Sequence, residues 1–278
     1  MPVACCALSG SFLFAALIYK KDRTNMSTRK PFVAGNWKMN NFVADAVSLA
    51  EGLKALVSGV DTVDIAVCPT YTSLYAVGKV LAGSTIQLGA QDAYVKASGA
   101  YTGEISPQML QDVGCTWTII GHSERRHILG ESDEFLNEKL RFALASGLKV
   151  MFCIGELLEE RKGGTMEAVL ERQTTKGLDG LSADVAAGVV IAYEPVWAIG
   201  TGETATPDQA EDAHIFVRGV VEKMFGKDCA DRVRIQYGGS VKADNAAELI
   251  AREHIDGFLV GGAALKADSF AAIINACK

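Results

Sequence analysis

No Cys-x-x-Cys pair occurs among the seven cysteines, Cys5, Cys6, Cys68, Cys115, Cys153, Cys229 and Cys277. That spacing is what a thiolate zinc site needs, so no metal is expected. Cys68, Cys115 and Cys153 lie in or beside apolar runs and read as small buried hydrophobes in a reducing compartment. No Gly-x-Gly-x-x-Gly follows the first strand-like run, and no Gly-Lys-Ser/Thr follows Gly200-Thr201-Gly202. Dinucleotide-binding and P-loop readings therefore lack their phosphate cradle. Basic excess is missing too: 27 Lys and Arg face 33 Asp and Glu, a net charge of −6. Nucleic acid and anionic membrane surfaces are excluded as main partners, and any anion site must be local. No linker, low-complexity tract or charge block divides residues 30–278, so one domain is expected there.

The N-terminal segment is apolar from Val3 to Tyr19 and then turns basic at Lys20-Lys21-Asp22-Arg23. A stretch of about 17 residues is at the low edge for a membrane helix, and no basic residue precedes it as in a signal peptide. Met26 begins Met-Ser-Thr-Arg-Lys-Pro-Phe, which reads as a natural start. Residues 1–29 are set aside as an extension, disordered or ahead of the true start, and no membrane partner is expected.

What is present is a repeating alternation. Apolar strand candidates at Phe32–Trp37, Val63–Cys68, Ile86–Ala90, Thr116–Ile120, Lys149–Ile154, Val189–Tyr193, Val233–Gln236 and Gly257–Val260 are each followed by a longer amphipathic segment. Continuous apolar runs suit parallel strands covered on both faces. Arg234 makes the seventh the weakest. Leu136, Leu140, Ala143 and Leu144 share a helical face that Gly147 closes, and Thr206-Pro207-Asp208-Gln209 is a capping box that opens a helix to about Phe225. Further helices are expected over Ala44–Leu56, Leu74–Leu81, Ser106–Val113, Met166–Lys176, Ala243–Ala251 and Ala267–Ala276. Eight such units over roughly 245 residues fit an α/β fold, a (β/α)8 barrel, better than a doubly wound sheet, because polar residues end many strands instead of clustering at one switch point.

Barrels of this kind build their sites at strand C-termini. Four clusters stand there: Asn36-Trp37-Lys38, Gly121-His122-Ser123-Glu124-Arg125-Arg126, Glu194 with the apolar run Val196 to Ile199, and the glycine loops Tyr237-Gly238-Gly239-Ser240 and Gly261-Gly262. Glycine pairs let backbone N–H groups approach a phosphate; Ser240 adds a hydroxyl, Gly200 another N–H and Lys38 a positive charge. Glu194, at a strand tip among apolar residues, is placed to be a general base under a water-excluding lid. His122 can donate to a developing oxyanion, with Asn36 and Lys38 as further donors. His127, His214 and His254 lack such context and read as structural. The four clusters converge on proton abstraction next to a carbonyl of a small phosphorylated substrate, with no cofactor.

Seven motifs in order, Gly35 to Asn40, Tyr101 to Glu104, Gly121 to Arg126, Cys153 to Glu156, Tyr193 to Thr206, Tyr237 to Ser240 and Leu259 to Gly262, give a chain that resembles the triosephosphate isomerase family from about Lys30 onward. That family is itself a general example of a Glu base, a neutral His electrophile and a closing loop. The resemblance implies a cytoplasmic, homodimeric enzyme of glycolysis and gluconeogenesis that interconverts dihydroxyacetone phosphate and glyceraldehyde 3-phosphate. It implies Glu194 as base, His122 as electrophile, Lys38 and Asn36 as polar partners, and Gly200, Ser240, Gly261 and Gly262 on the phosphate. It places Glu124 beside Lys38 and has Glu156 anchor Trp197 of a lid over residues 195–206. Ser123 and Tyr237 stand beside these residues in the matched motifs. It also implies that Thr102 reaches into a partner subunit's pocket near the partner's Asn36. Two positions depart from the family: Asp92 replaces a common Asn near the dimer contact, and Glu203 replaces a common Lys or apolar residue near the lid tip. An aldolase would need a Schiff-base Lys at a strand end, and Lys149 begins its strand instead. A non-catalytic barrel scaffold would have lost site residues, and none is lost.

Overall fold

The computed structural model describes residues 29–199 and 203–278. Within them, eight parallel strands close into one ring: β1 (Phe32–Asn36), β2 (Asp64–Cys68), β3 (Ile86–Ala90), β4 (Trp117–Ile120), β5 (Lys149–Ile154), β6 (Val190–Tyr193), β7 (Arg234–Tyr237) and β8 (Gly257–Val260). Each pairs with the next in sequence, and β8 returns to β1 with Phe32 opposite Gly257. This is the expected (β/α)8 barrel, with helices following the strands around the outside.

Two apolar layers hold it. Phe32, Ala34, Ala66, Trp117, Ile119, Met151, Val190 and Ala192 fill the ring, with the Phe32 and Trp117 rings 4.6 Å apart. Strand neighbours of opposite parity, such as Val33, Ile191 and Tyr193, face the helices. Because side chains alternate along a strand, this parity fixes the mouth of the barrel. Phe32 and Ala34 point inward, so Asn36 does; Val190 and Ala192 point inward, so Glu194 does.

Arg234, the residue that weakened β7 as a sequence pattern, has a defined place. Its guanidinium reaches Asp64 at 2.7 Å and lies 5.0 Å from the Phe32 ring centroid, so a charge sits at the strand's start without being left unpaired. The capping box forms as expected: Thr206 Oγ1 accepts the Gln209 N–H at 3.2 Å and Gln209 Oε1 accepts the Thr206 N–H at 3.0 Å. Such caps contribute about 1 kcal/mol. Helix 246–250 is shorter than expected because Asn245 Oδ1 accepts the Lys242 N–H and holds residues 242–245 in a turn. Four short helices escaped sequence reading, Ser123–His127, Leu158–Lys162, Ala183–Ala186 and Lys227–Arg232. None is long enough to show a helical apolar period.

Among the described residues no helix is long and apolar enough to cross a membrane. The Val3–Tyr19 run and the extension as far as residue 28 lie outside the described residues. Arg29, set aside with that extension, is instead tied to the barrel by its ion pair with buried Asp256 at 2.7 Å.

Candidate active site

At the tip of β1, buried Asn36 accepts the Lys38 N–H on Oδ1 at 3.0 Å. Lys38 takes a left-handed backbone conformation, φ 50°, which is uncommon outside glycine. Its carbonyl is held by the Gln91 side chain at 2.7 Å, and its Nζ meets Glu124 Oε1 at 2.7 Å. Partial burial pushes the Glu124 carboxyl up, but Lys38 and His122 outweigh it and hold the group below its ordinary value.

At the tip of β4, His122 precedes the short helix Ser123–His127 and caps it: Nδ1 accepts the Glu124 N–H at 3.2 Å. With Nδ1 used as an acceptor, the proton of a neutral ring sits on Nε2. Nε2 lies 3.0 Å from Glu194 Oε1. The other carboxylate oxygen, Oε2, accepts the Ser123 N–H at 2.9 Å. Glu194 is 2% exposed and both of its oxygens are occupied by donors.

Main chain fixes where this carboxylate sits. Glu194 N–H donates to the Ile154 carbonyl of β5 at 2.7 Å, and Gly238 N–H donates to the Tyr193 carbonyl at 2.7 Å. A Cβ on Gly155 would lie 1.7 Å from the Glu194 carbonyl oxygen, and one on Gly238 would lie 2.9 Å from Glu194 Cγ. Only glycine permits either approach.

Beyond Glu194, Pro195 leads into a 3-10 turn, Val196–Ala198. Fully buried Glu156 anchors it: Oε1 accepts Trp197 Nε1–H at 2.8 Å, the Tyr193 hydroxyl at 3.1 Å and Arg161 Nη1–H at 3.0 Å. The Arg161 guanidinium also stacks on the Trp197 ring, 4.8 Å from its centroid. The Tyr237 hydroxyl is buried towards Ala205, and burial pushes it up to about 12. Gly200, expected on the phosphate, lies outside the described residues.

A cavity of about 440 Å³ opens at this end of the barrel and brings together Asn36, Lys38, His122, Glu194, Ser240, Gly261 and Gly262. Ser123, Glu124, Glu156, Trp197 and Tyr237 stand outside its lining, behind the groups they hold. Thr102 is not part of it and is exposed. Sequence reading missed Asn40, Val241, Lys242, Leu259 and Leu265 in the lining. Strand parity marks Leu259, two residues before Gly261 on the inward face; Lys242 carried no signal beyond its place one residue past the glycine loop.

Other groups fall outside the chemistry. Lys149 is exposed at the start of β5, opposite the mouth, so no Schiff-base lysine stands there. His214 is fully buried, its Nδ1 3.0 Å from the His254 carbonyl, and burial holds it down to about 4. Cys153 is buried beside Glu194, and burial followed by that carboxylate raises its thiol well above the ordinary range.

A carboxylate poised against an imidazole N–H, across a mouth walled by two glycine loops, defines a barrel enzyme that moves protons on an anionic substrate. Comparison with known proteins narrows the class. A family described as triosephosphate isomerase matches residues 31–277. Triosephosphate isomerase of Carboxydothermus hydrogenoformans is 53% identical over 247 residues, covering 89% of this chain and 98% of the relative. That of Endomicrobium trichonymphae is 50% identical over 250 residues, covering 90% and 100%. The chain belongs to the triosephosphate isomerase family, and it is an isomerase.

Proposed function

We propose the following division of labour for the interconversion of dihydroxyacetone phosphate and D-glyceraldehyde 3-phosphate. The observation that carries it is the 3.0 Å contact between Glu194 Oε1 and His122 Nε2 at a mouth lined by Ser240, Gly261 and Gly262. Glu194 exchanges its resting donors for the substrate and takes a proton from the carbon next to the carbonyl. The resulting enediolate carries charge on two oxygens, and His122 Nε2–H, Lys38 Nζ and the Asn36 side chain supply donors there. His122 then moves a proton between those oxygens, and Glu194 returns its own to the neighbouring carbon. The Glu124 contact holds Lys38 in place, and Gly200, Ser240, Gly261 and Gly262 hold the phosphate. Residues 195–206 exclude water, which keeps the enediolate from losing its phosphate.

A homodimer belongs to the same reading. Large apolar side chains left strongly exposed at Met39, Phe42 and Tyr75 support that reading. Thr102 lies beside half-exposed Tyr101, which packs on Tyr94 with ring centroids 4.9 Å apart. Cytoplasmic residence is supported by Cys68, Cys115, Cys153, Cys229 and Cys277, all free and buried.

A dehydrogenase-coupled isomerase assay in both directions tests the reaction, and absence of turnover with either triose phosphate overturns it. Sedimentation of Thr102→Arg tests assembly: inactive monomers are expected, and a fully active dimer refutes the proposed contact.

A further inference from the structure

Two lysines line the cavity, Lys38 and Lys242. They differ in how their charge is spent. Lys38 Nζ sits 2.7 Å from a carboxylate oxygen of Glu124, so much of its field is cancelled locally. Lys242 forms no ion pair among the described residues. Glu194 adds a negative charge to the same lining, and the chain as a whole carries −6. Of the two lysines on the lining, Lys242 is therefore the one that offers an approaching phosphate dianion a charge not already paired with a carboxylate among the described residues. The residue is exposed, as a capturing charge must be, yet its backbone is fixed. Its N–H donates to Asn245 Oδ1 at 2.8 Å, and the Asn245 amide donates to the Ser240 carbonyl at 3.0 Å. Buried Val241 pins the loop between them. Lys242 is thus tied to the loop expected to hold the phosphate.

We propose that Lys242 is a specificity-determining residue that draws the doubly charged phosphate group into the cavity and favours phosphorylated over neutral trioses. The proposal rests on the isomerase reading above. Its physics is that of a steered encounter: a local charge of the right sign raises the capture rate and is screened by salt.

The experiment compares the wild type with Lys242→Ala, Lys242→Glu and Lys242→Arg. At an ionic strength of about 0.02 M, kcat/KM for glyceraldehyde 3-phosphate is expected to fall about 3-fold in the Ala variant and about 10-fold or more in the Glu variant, chiefly through KM. The Arg variant keeps the wild-type value within about 2-fold, because the charge is kept. At about 0.5 M salt, where the Debye length is roughly 4 Å, the four proteins converge. Turnover of unphosphorylated glyceraldehyde changes little at any salt. Calorimetric titration with inorganic phosphate gives a readout separate from catalysis, and its affinity is expected to follow Arg, Ala and Glu in descending order. Losses that are independent of salt, equal for the neutral triose, or matched by unchanged phosphate affinity overturn the proposal. A wild type that binds phosphate through Lys242 but turns over no triose would refute the isomerase reading instead.

Discussion

Glu194→Gln exchanges one oxygen of the base for an amide nitrogen with almost no change in shape, and the geometry around it makes the exchange costly twice over. Two donors aim at the carboxylate, the Ser123 N–H at 2.9 Å and His122 Nε2 at 3.0 Å. A glutamine offers one acceptor oxygen and one NH2, so one of those donors faces another donor. The imidazole cannot relieve this by moving its proton, because Nδ1 already accepts the Glu124 N–H. A buried donor left without a partner costs about 1–3 kcal/mol. For a domain of this size that corresponds to a fall in Tm of roughly 2–12 °C. Catalysis suffers more, since an amide takes up no proton. A loss of about 10³-fold in kcat is expected, equivalent to ~4 kcal/mol of transition-state stabilisation. The coupled assay reads the loss of turnover and thermal unfolding the loss of stability. A Gln variant within about tenfold of wild-type turnover removes Glu194 as the base. An unchanged Tm would instead refute the two-donor geometry while leaving the base untouched.

Asp92 gives a pH signature. Its Oδ2 meets Lys139 Nζ at 2.7 Å and Arg125 Nε at 3.0 Å, and burial nevertheless pushes the carboxyl from 3.8 to about 6, with Lys139 and Arg125 opposing. The native state therefore keeps a proton that the unfolded chain releases between those values, so this group's contribution falls as pH rises from about 4 to about 6. Asp92→Asn removes that term, and the Tm of the variant relative to wild type is expected to climb across this window by the equivalent of about 2–3 kcal/mol; a flat difference refutes it. Gly155→Ala would drive a methyl to 1.7 Å from the Glu194 carbonyl oxygen. A loss of more than about 3 kcal/mol in urea unfolding is expected, and a variant of native stability would show that the β5 and β6 tips do not meet as described.

The barrel was legible because each strand is a short apolar run and each intervening helix has a periodic face; β3, β5 and β8 have the limits expected from sequence. Short helices were not legible. Ser123–His127 matters most, since its first N–H holds Glu194, yet Ser-Glu-Arg-Arg-His shows no apolar face. Glu194 and His122 stood out as polar residues ending apolar strands, but that they touch across the mouth depends on 71 intervening residues folding back. Lys242 was invisible because a lysine in a polar loop looks like solvated surface until the ring closes and places it on the cavity.

The Glu194 carbonyl rests over Gly155 of the neighbouring β5 tip, and its side chain lies against Gly238 of the β7 tip. Neither contact is local in sequence. The reactive carboxylate is therefore aimed by the meeting of three strand ends rather than by its own segment. A partly assembled ring can acquire helices and an apolar interior while its β6 tip is still free to wander. Catalytic competence should then lag behind compactness during refolding, and chain cuts between β6 and β7 should abolish turnover unless the pieces reassociate. Variation is cheap on the outer helices and dear at these three tips.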